Sequence, residues 1–325
     1  MPVLNARRAV LRVLVPAAYL GVAAAVFVIR GIPTERGMLT LWILGGLLCV
    51  SLGSLTGFVR SVVLEWLPLL AALTVYDVLR GVGGGRVPIH GSFQIWLDRH
   101  VFGFGSIPSV WLQKRLWHPG HVSVVDAAAF CVYMSYFLAT PIALGVVWLV
   151  DRQLFRRYAR QLTLLSFAAV ACFTLCPTIP PWLASQKHMI GEAQRLIGLI
   201  HVGTFDPTPV WERGVRLAND LAAFPSLHEG MTILLAVVLW RRVPRFLRPL
   251  LVAYPLAMAF SLVFLGEHYV SDLVAGALLT ALVVYAEPRL LRALRERRQP
   301  GIVPVEPVYE AVAADFGRRP RRAAG

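Results

Sequence analysis

Long apolar segments, separated by short polar and basic segments, dominate the sequence. A helix that crosses a bilayer needs about 20 mostly apolar residues. Eight segments approach or exceed that length, at residues 10–29, 38–59, 61–80, 124–150, 161–176, 225–240, 246–266 and 268–286. The pattern therefore predicts an all-α fold, a polytopic membrane bundle of about eight transmembrane helices.

The composition excludes two other classes of protein. Of the 325 residues, 57% are hydrophobic and 15% are charged, whereas soluble domains carry about a quarter charged residues. A soluble globular protein could not bury this much apolar surface. Intrinsic disorder is excluded as well, because it requires low hydrophobicity.

The basic residues indicate how the chain is oriented in the membrane. The formal net charge is +14, but most Lys and Arg residues lie between the apolar segments, which favours a role in topology over nucleic acid binding. The connections on the same side as the N-terminus are short and rich in arginine. Because cytoplasmic loops are enriched in Lys and Arg, we expect a multi-pass protein of the cell membrane with both termini in the cytoplasm.

The order of the segments also predicts the domain organisation. Two long outer segments, 81–123 and 177–224, contain Gly, Pro and Trp residues, and we expect short helices at the membrane interface there. The tail from Arg289 onward is basic and then Pro-rich, which predicts a disordered cytoplasmic segment. The predicted parts are two N-terminal spans at 1–60, a membrane domain at 61–286 with a catalytic core at about 160–286, and a tail at 287–325.

Two polar motifs begin apolar segments, and the first surrounds His228. Ionisable groups at membrane depth are costly and therefore suggest function. Pro225 is well placed as the first helical residue of the sixth span, so we expect Ser226 and His228 in its first turn. The free N–H groups of a first turn favour an anion such as phosphate.

The second motif places His268 and Asp272 four residues apart, on one face of the predicted eighth span. A carboxylate in this position can orient an imidazole and raise its basicity. Both motifs begin on the outer face in the predicted topology, and Arg80 ends the third span on the same side. A lone histidine at a span end is commonly an interfacial residue and a His–Asp pair can be purely structural, but the two motifs together favour one shared phosphate site.

These motifs resemble those of the type 2 phosphatidic acid phosphatase superfamily. That family has a Pro-Ser-Gly-His motif, which residues 225–228 match with Leu227 in place of glycine. Its second motif is Ser-Arg-x5-His-x3-Asp, which Ser261, His268 and Asp272 match at the right spacing. The resemblance covers residues 176–286 well and residues 60–150 more loosely, and the first two spans carry none of it.

Departures from the family pattern resemble one branch, the inositolphosphotransferases related to inositol phosphorylceramide synthase. Leu262 replaces the arginine of the second motif, and a Lys-x6-Arg-Pro motif is absent. Members of the branch carry Phe-Pro-Ser-Leu-His, a Pro-Pro-Trp turn and His-Tyr. This chain has these residues at 224–228, 180–182 and 268–269.

The resemblance implies a role for each matching residue. His268 would attack phosphorus and form a phosphohistidine, while Asp272 would orient it. His228 would protonate the leaving alcohol and then deprotonate the acceptor. An imidazole with a pKa of about 6.5 can make both proton transfers at neutral pH. Because the basic residues of the family motifs are missing, other groups must bind the phosphate. From their positions the candidates are Arg80, Arg195, Lys187 and Ser226.

The expected activity is phosphotransfer from a lipid phosphate or phospholipid to an alcohol or polyol acceptor, without metal or cofactor. The family works without a metal, and the sequence shows no Cys/His spacing typical of zinc. Hydrolysis is the alternative, because water could replace the alcohol after the same covalent step. Alternatives of another class are a transporter, although no repeat symmetry is visible, and a non-catalytic scaffold, which would tolerate changes at His228 and His268.

Overall fold

The computed structural model describes residues 14–26, 36–51, 55–82, 91–103, 105–200 and 221–298. Helices account for nearly all of the regular structure in these ranges. In chain order they are α1 (Leu14–Val26), α2 (Arg36–Val50), α3 (Leu55–Ser61), α4 (Leu67–Val82), α5 (Ser92–Leu97), α6 (Pro108–Leu116), α7 (Val124–Val150), α8 (Arg152–Leu175), α9 (Pro181–Gln186), α10 (Leu227–Leu239), α11 (Arg248–Phe264) and α12 (Val270–Arg298). A π-helical turn joins α3 to α4, and another, Asp98–Phe102, follows α5.

The prediction of an all-α membrane bundle is confirmed. Five helices in the described ranges are long and apolar enough to cross a membrane: Leu55–Arg80, Val124–Val150, Arg152–Leu175, Arg245–Phe264 and Val270–Arg297. Shorter apolar helices, Leu14–Val26, Thr40–Val50 and Leu227–Leu239, occupy the remaining predicted segments. Many apolar side chains on the helices are exposed, as expected for surfaces that face hydrocarbon.

Two predicted span boundaries are wrong. The predicted span 38–59 belongs to two helices, because α2 ends at Val50 and α3 begins at Leu55; the serines and glycine between them are poor helix formers. The predicted span 161–176 begins nine residues earlier, at Arg152. Asp151 caps this helix by accepting the N–H groups of Gln153 and Leu154, and the arginines that follow are good helix formers.

The prediction of disorder from residue 287 onward is wrong for residues 287–298, which are helical. Helix α12 continues to Arg298, because residues 289–298 are mostly Arg, Leu and Ala, which favour helix. The residues after Arg298 lie outside the described ranges. By its contacts the chain divides into two compact units, Met1–Val284 and Tyr285–Gly325.

Short helices are present in both long outer segments, as predicted. Helices α5 and α6 lie within 81–123 and α9 lies within 177–224. Their location at the membrane interface stays a prediction, and parts of both segments, 83–90 and 201–220, are outside the described ranges.

Helix α10 occupies a central place in the bundle, where it packs against α7, α8 and α11. One apolar cluster joins α10 to α4, α7 and α8, with Trp66, Trp148 and Leu234 among its buried members. A second cluster joins α7 to α11 through residues such as Phe130 and Met258. The first turn of α10 therefore lies on a rigid support of neighbouring helices.

Candidate active site

The start of α10 carries the first histidine. Ser226 caps the helix by accepting a hydrogen bond from the Glu229 N–H at 3.4 Å, and the helix begins at Leu227. The prediction that Pro225 is the first helical residue is therefore wrong, because serine is a strongly preferred N-cap and takes the position after it. His228 still lies in the first turn, as predicted.

A Schellman motif at the end of α11 leads to the second histidine. The N–H of Glu267 donates to the Leu262 carbonyl at 3.0 Å, and the N–H of Gly266 donates to the Val263 carbonyl at 3.2 Å. Gly266 has a φ of +79°, which glycine adopts without steric cost. The chain therefore leaves α11 in a fixed direction and reaches His268 before α12 begins.

His268 faces Asp272 across the start of α12. Its Nδ1 atom lies 3.4 Å from Asp272 Oδ2, a distance that suits an ion pair but is longer than an ordinary N–H···O hydrogen bond. His268 is 6% exposed and Asp272 is completely buried. The same carboxylate oxygen accepts the Tyr269 N–H at 2.9 Å. The predicted pair is thus present, but the prediction that both residues share a helix face is wrong, because His268 precedes the helix.

The structure brings the two imidazole rings together. The ring centroids of His228 and His268 are 5.8 Å apart, with their planes at 62°. Because Nδ1 of His268 is turned towards the carboxylate, its Nε2 is the nitrogen that remains to face a substrate. Two groups that are distant in sequence can therefore act on one phosphoryl group.

Aromatic side chains from α7 surround the His228 ring. The ring stacks on Tyr133 at 5.3 Å and lies 4.2 Å from the Tyr136 ring, centroid to centroid. Phe137 contacts it edge-on at 6.2 Å. Three rings at helical spacing thus restrict the orientation of the imidazole. Sequence reasoning missed them, although two tyrosines one turn apart in an apolar span were a visible signal.

Glycines allow α12 to approach the start of α10 very closely. A Cβ atom on Gly276 would lie 2.3 Å from the Ser226 carbonyl oxygen, and one on Gly230 would lie 2.9 Å from Thr280 Oγ1. The Ser226 N–H donates to the Asp272 carbonyl at 2.9 Å, and the Thr280 hydroxyl donates to the Gly230 carbonyl at 3.0 Å. Small residues and cross-helix hydrogen bonds therefore set the spacing of the two histidine-bearing segments.

Gln113 of α6 fixes the end of α11. Its buried amide nitrogen donates to the carbonyls of Gln194 at 2.9 Å and Phe264 at 2.8 Å. Its amide oxygen accepts the Gln194 N–H at 2.8 Å. A side chain at position 266 would collide with this network, since a Cβ there would lie 2.6 Å from the Gln194 carbonyl oxygen.

Asp98 fixes the start of α12. Its carboxylate is completely buried and accepts the N–H of Val270 at 2.8 Å and that of Ser271 at 2.9 Å. Burial raises the pKa of the Asp98 carboxyl, and the N–H donors act in the opposite direction. Asp272 accepts the Tyr269 N–H, so the N–H groups of residues 269, 270 and 271 all donate to carboxylates.

Arg80, the first predicted phosphate ligand, lies in the last turn of α4. It interacts with Tyr76, and it is close enough for its charge to act on His228 and Tyr133. Its position thus agrees with a phosphate-binding role, which stays a prediction.

Arg195, the second predicted ligand, is paired. Its guanidinium donates to both carboxylate oxygens of Glu267, at 2.8 and 3.3 Å, and lies over the Trp182 ring at 4.6 Å. Its charge also acts on Tyr133. Sequence reasoning missed Glu267, although it directly precedes His268 and is the nearest acidic residue in the motif.

The positions of the other two predicted phosphate ligands, Lys187 and Ser226, give less support to that role. Lys187 follows α9 and is exposed. Ser226 is completely buried, and its N–H and hydroxyl both take part in the hydrogen bonds that form the start of α10. Phosphate binding by either residue stays a prediction.

Within the described ranges, no group of three or more His, Cys, Asp or Glu residues could hold a metal ion. A metal-independent reaction stays an expectation. Of the features that sequence reasoning missed, the N-cap role of Ser226 had a recognisable Ser-x-x-Glu signature with Glu229. Asp98 and Gln113 had none, because they bind backbone groups far along the chain.

Comparison with known proteins agrees with the geometry. A family model described as the PAP2 superfamily matches residues 104–286, more than half of the chain. No curated protein and no solved structure matches the chain. The matched region contains both histidines, Asp272 and the helices that position them. The chain therefore belongs to the PAP2 superfamily, whose members are enzymes that act on phosphate esters.

Proposed function

We propose that this enzyme is a membrane-embedded phosphotransferase that acts on a lipid-linked phosphate through a phosphohistidine at His268. One observation carries the proposal: the two imidazole rings are 5.8 Å apart, and His268 Nδ1 faces Asp272 at 3.4 Å. This arrangement supplies a nucleophile, a carboxylate that orients it and a second imidazole for proton transfer.

In the first step, the Nε2 lone pair of His268 attacks phosphorus. The bond between phosphorus and the leaving oxygen breaks, and protonated His228 donates its proton to that oxygen. Asp272 accepts the Nδ1–H of His268 and stabilises the positive charge that develops on the ring, as a carboxylate does in other base–orienter pairs.

In the second step, an acceptor hydroxyl attacks the phosphohistidine. His228, now neutral, takes the proton of the hydroxyl, and the phosphorus–nitrogen bond breaks to regenerate His268. An alcohol acceptor gives phosphotransfer, whereas water gives hydrolysis, which is the second candidate function. The resemblance to the inositolphosphotransferases supports an alcohol acceptor.

Arg80 and Arg195 are the proposed clamp for the phosphoryl oxygens. Negative charge on these oxygens needs cationic or N–H donors in the transition state, and the charges of both arginines act on Tyr133 beside the His228 ring. Arg195 already holds Glu267, so a phosphate would share its guanidinium with that carboxylate or replace it.

We also propose that the site opens on the extracytoplasmic side. Arginines lie at the opposite end of the bundle from His228: Arg152 and Arg156 at the start of α8 hold Glu65, and Arg242 after α10 holds Asp151 at 2.5 Å. Because arginine-rich ends are typical of the cytoplasmic side, this distribution supports an outward-facing site.

The test compares purified wild type with His268→Ala and His228→Ala, with labelled phosphatidic acid and phospholipids as donors. The exposed His118 provides a matched control, His118→Ala. We expect both active-site variants to lose turnover, the control to retain it, and EDTA to have no effect on wild type. Normal turnover by His268→Ala would overturn the phosphohistidine.

Product analysis separates transfer from hydrolysis. Mass spectrometry of reactions with and without added polyols, inositol included, would show a phosphorylated polyol if transfer occurs. Free phosphate or headgroup phosphate alone, at every polyol concentration, would instead establish hydrolysis with water as the acceptor.

A further inference from the structure

We propose that Asp98 is a positioning residue for the nucleophile, acting through the backbone of α12 on the His268–Asp272 pair. The inference rests on the proposed function, because it concerns the same reaction. Asp98 lies before the region that matches the family model, which begins at residue 104, and it is distant in sequence from every residue of the catalytic motifs.

Within the described ranges, the hydrogen bonds of the Asp98 carboxylate go to the start of α12. Both carboxylate oxygens are used, Oδ2 for the Val270 N–H at 2.8 Å and Oδ1 for the Ser271 N–H at 2.9 Å. Hydrogen bonds from N–H groups to a carboxylate are shorter and stronger than neutral ones. The first turn of α12 is therefore held by a side chain from outside the helix.

Removal of this acceptor would affect Asp272 directly. The N–H groups of a first helical turn need acceptors, and Asp272, in that same turn, already accepts the Tyr269 N–H through the oxygen that faces His268. Without Asp98, the released N–H groups of Val270 and Ser271 would compete for this carboxylate and turn it away from the imidazole. Asp98 thus keeps Asp272 available to His268.

The other end of the same loop is fixed from the same part of the chain. Gln113 binds the Phe264 carbonyl at the end of α11, and Tyr269 packs in a buried cluster with Ile95 and Ile107. The loop that carries His268 is therefore held on both sides by residues 91–103 and 105–116. We call these residues the loop clamp.

The test uses Asp98→Asn and Asp98→Ala in the full-length protein. Asn keeps one acceptor oxygen and similar volume, so it separates positioning from a failure to fold. We expect Asp98→Asn to lower kcat roughly 10²-fold, as for reacting groups displaced by about 1 Å, with KM within about twofold of wild type. Asp98→Ala should lower kcat further.

Asp126→Asn is the matched control. Asp126 is also completely buried and also caps a helix, accepting the Ser123 N–H at 2.7 Å, but that helix end is not part of the site. We expect the control to lose as much thermal stability as Asp98→Asn while keeping the kcat of wild type. Equal kcat for the two variants would overturn the proposal, because Asp98 would then be a helix cap and nothing more.

Hydrogen exchange supplies a readout that needs no substrate. In Asp98→Asn the amides of residues 269–272 should exchange faster than in wild type, while those of the α10 first turn should not. Unchanged exchange would overturn the inference even if the proposed function holds. Absence of His268-dependent turnover in wild type would instead overturn the proposed function, and the inference with it.

Discussion

Gly276→Ala tests whether the spacing of the two helices controls catalysis. The added methyl carbon would lie 2.3 Å from the Ser226 carbonyl oxygen, whereas ordinary contact begins at 3.4 Å. The atom in the way belongs to the backbone and cannot rotate aside, so α12 and the start of α10 must separate by about 1 Å. The Ser226–Asp272 backbone hydrogen bond, 2.9 Å long, would lengthen with them.

The expected cost in activation free energy exceeds the expected cost in folding stability. A displacement of about 1 Å between reacting groups costs roughly 10²-fold in rate, equivalent to about 2.7 kcal/mol in activation free energy. Overpacking costs about 1–3 kcal/mol of folding stability, but alanine gains up to about 1 kcal/mol over glycine inside a helix. The net destabilisation is therefore about 0–2 kcal/mol.

The assay measures kcat for a lipid phosphate and the thermal unfolding temperature in the same detergent. Two variants give a graded comparison. Gly230→Ala should have a smaller effect, because its Cβ would meet the Thr280 side chain, which can move, and would lie 3.3 Å from the nearest backbone atom, the Gly276 carbonyl oxygen. Gly198→Ala should have none, since nothing lies within 4 Å of a Cβ there. A Gly276→Ala enzyme with wild-type kcat would refute the reasoning from helix spacing.

Two further predictions concern the phosphate clamp and the topology. Arg80→Ala should lower kcat/KM about 10²- to 10³-fold, as for the loss of one donor to a developing oxyanion. Arg80→Lys should restore part of the lost kcat/KM. An unchanged kcat/KM in Arg80→Ala would assign phosphate binding to Arg195 or Lys187 instead. In a background without native cysteines, Gln186→Cys near the site should react with a membrane-impermeant maleimide on intact cells, and Arg245→Cys at the opposite end should react only after lysis. The reverse pattern would place the site on the cytoplasmic side.

The residues proposed to carry the chemistry were predictable because their spacing in sequence is itself chemical information. His228 and the pair His268 and Asp272 begin apolar segments. Ionisable groups at membrane depth are costly and therefore suggest function. The eight apolar segments were equally visible, since hydrocarbon thickness fixes the length of a span. The boundaries were less predictable, because Asp151 as a cap and Arg152 as a helix former extend α8 beyond its apolar part.

The residues proposed to position the chemistry were not predictable from one sequence. Asp98 and Gln113 bind backbone groups that lie more than 150 residues away in sequence. No local sequence pattern predicts such hydrogen bonds. Gly276 acts by lacking a side chain, which is visible only when its neighbour is known. Arg195 was identified as a cation near the site, but its partner Glu267 depends on how α11 ends.

The loop clamp has a consequence for how this enzyme can be divided or transplanted. A fragment that began at residue 104, the border of the family match, would retain both histidines and Gln113 but would lose Asp98 and the acceptor it provides for α12. We therefore expect the smallest fragment that retains activity to be longer than the motifs suggest. A chimera that exchanges substrate-binding parts with another superfamily member should keep residues 91–116 and the His268 loop from the same parent.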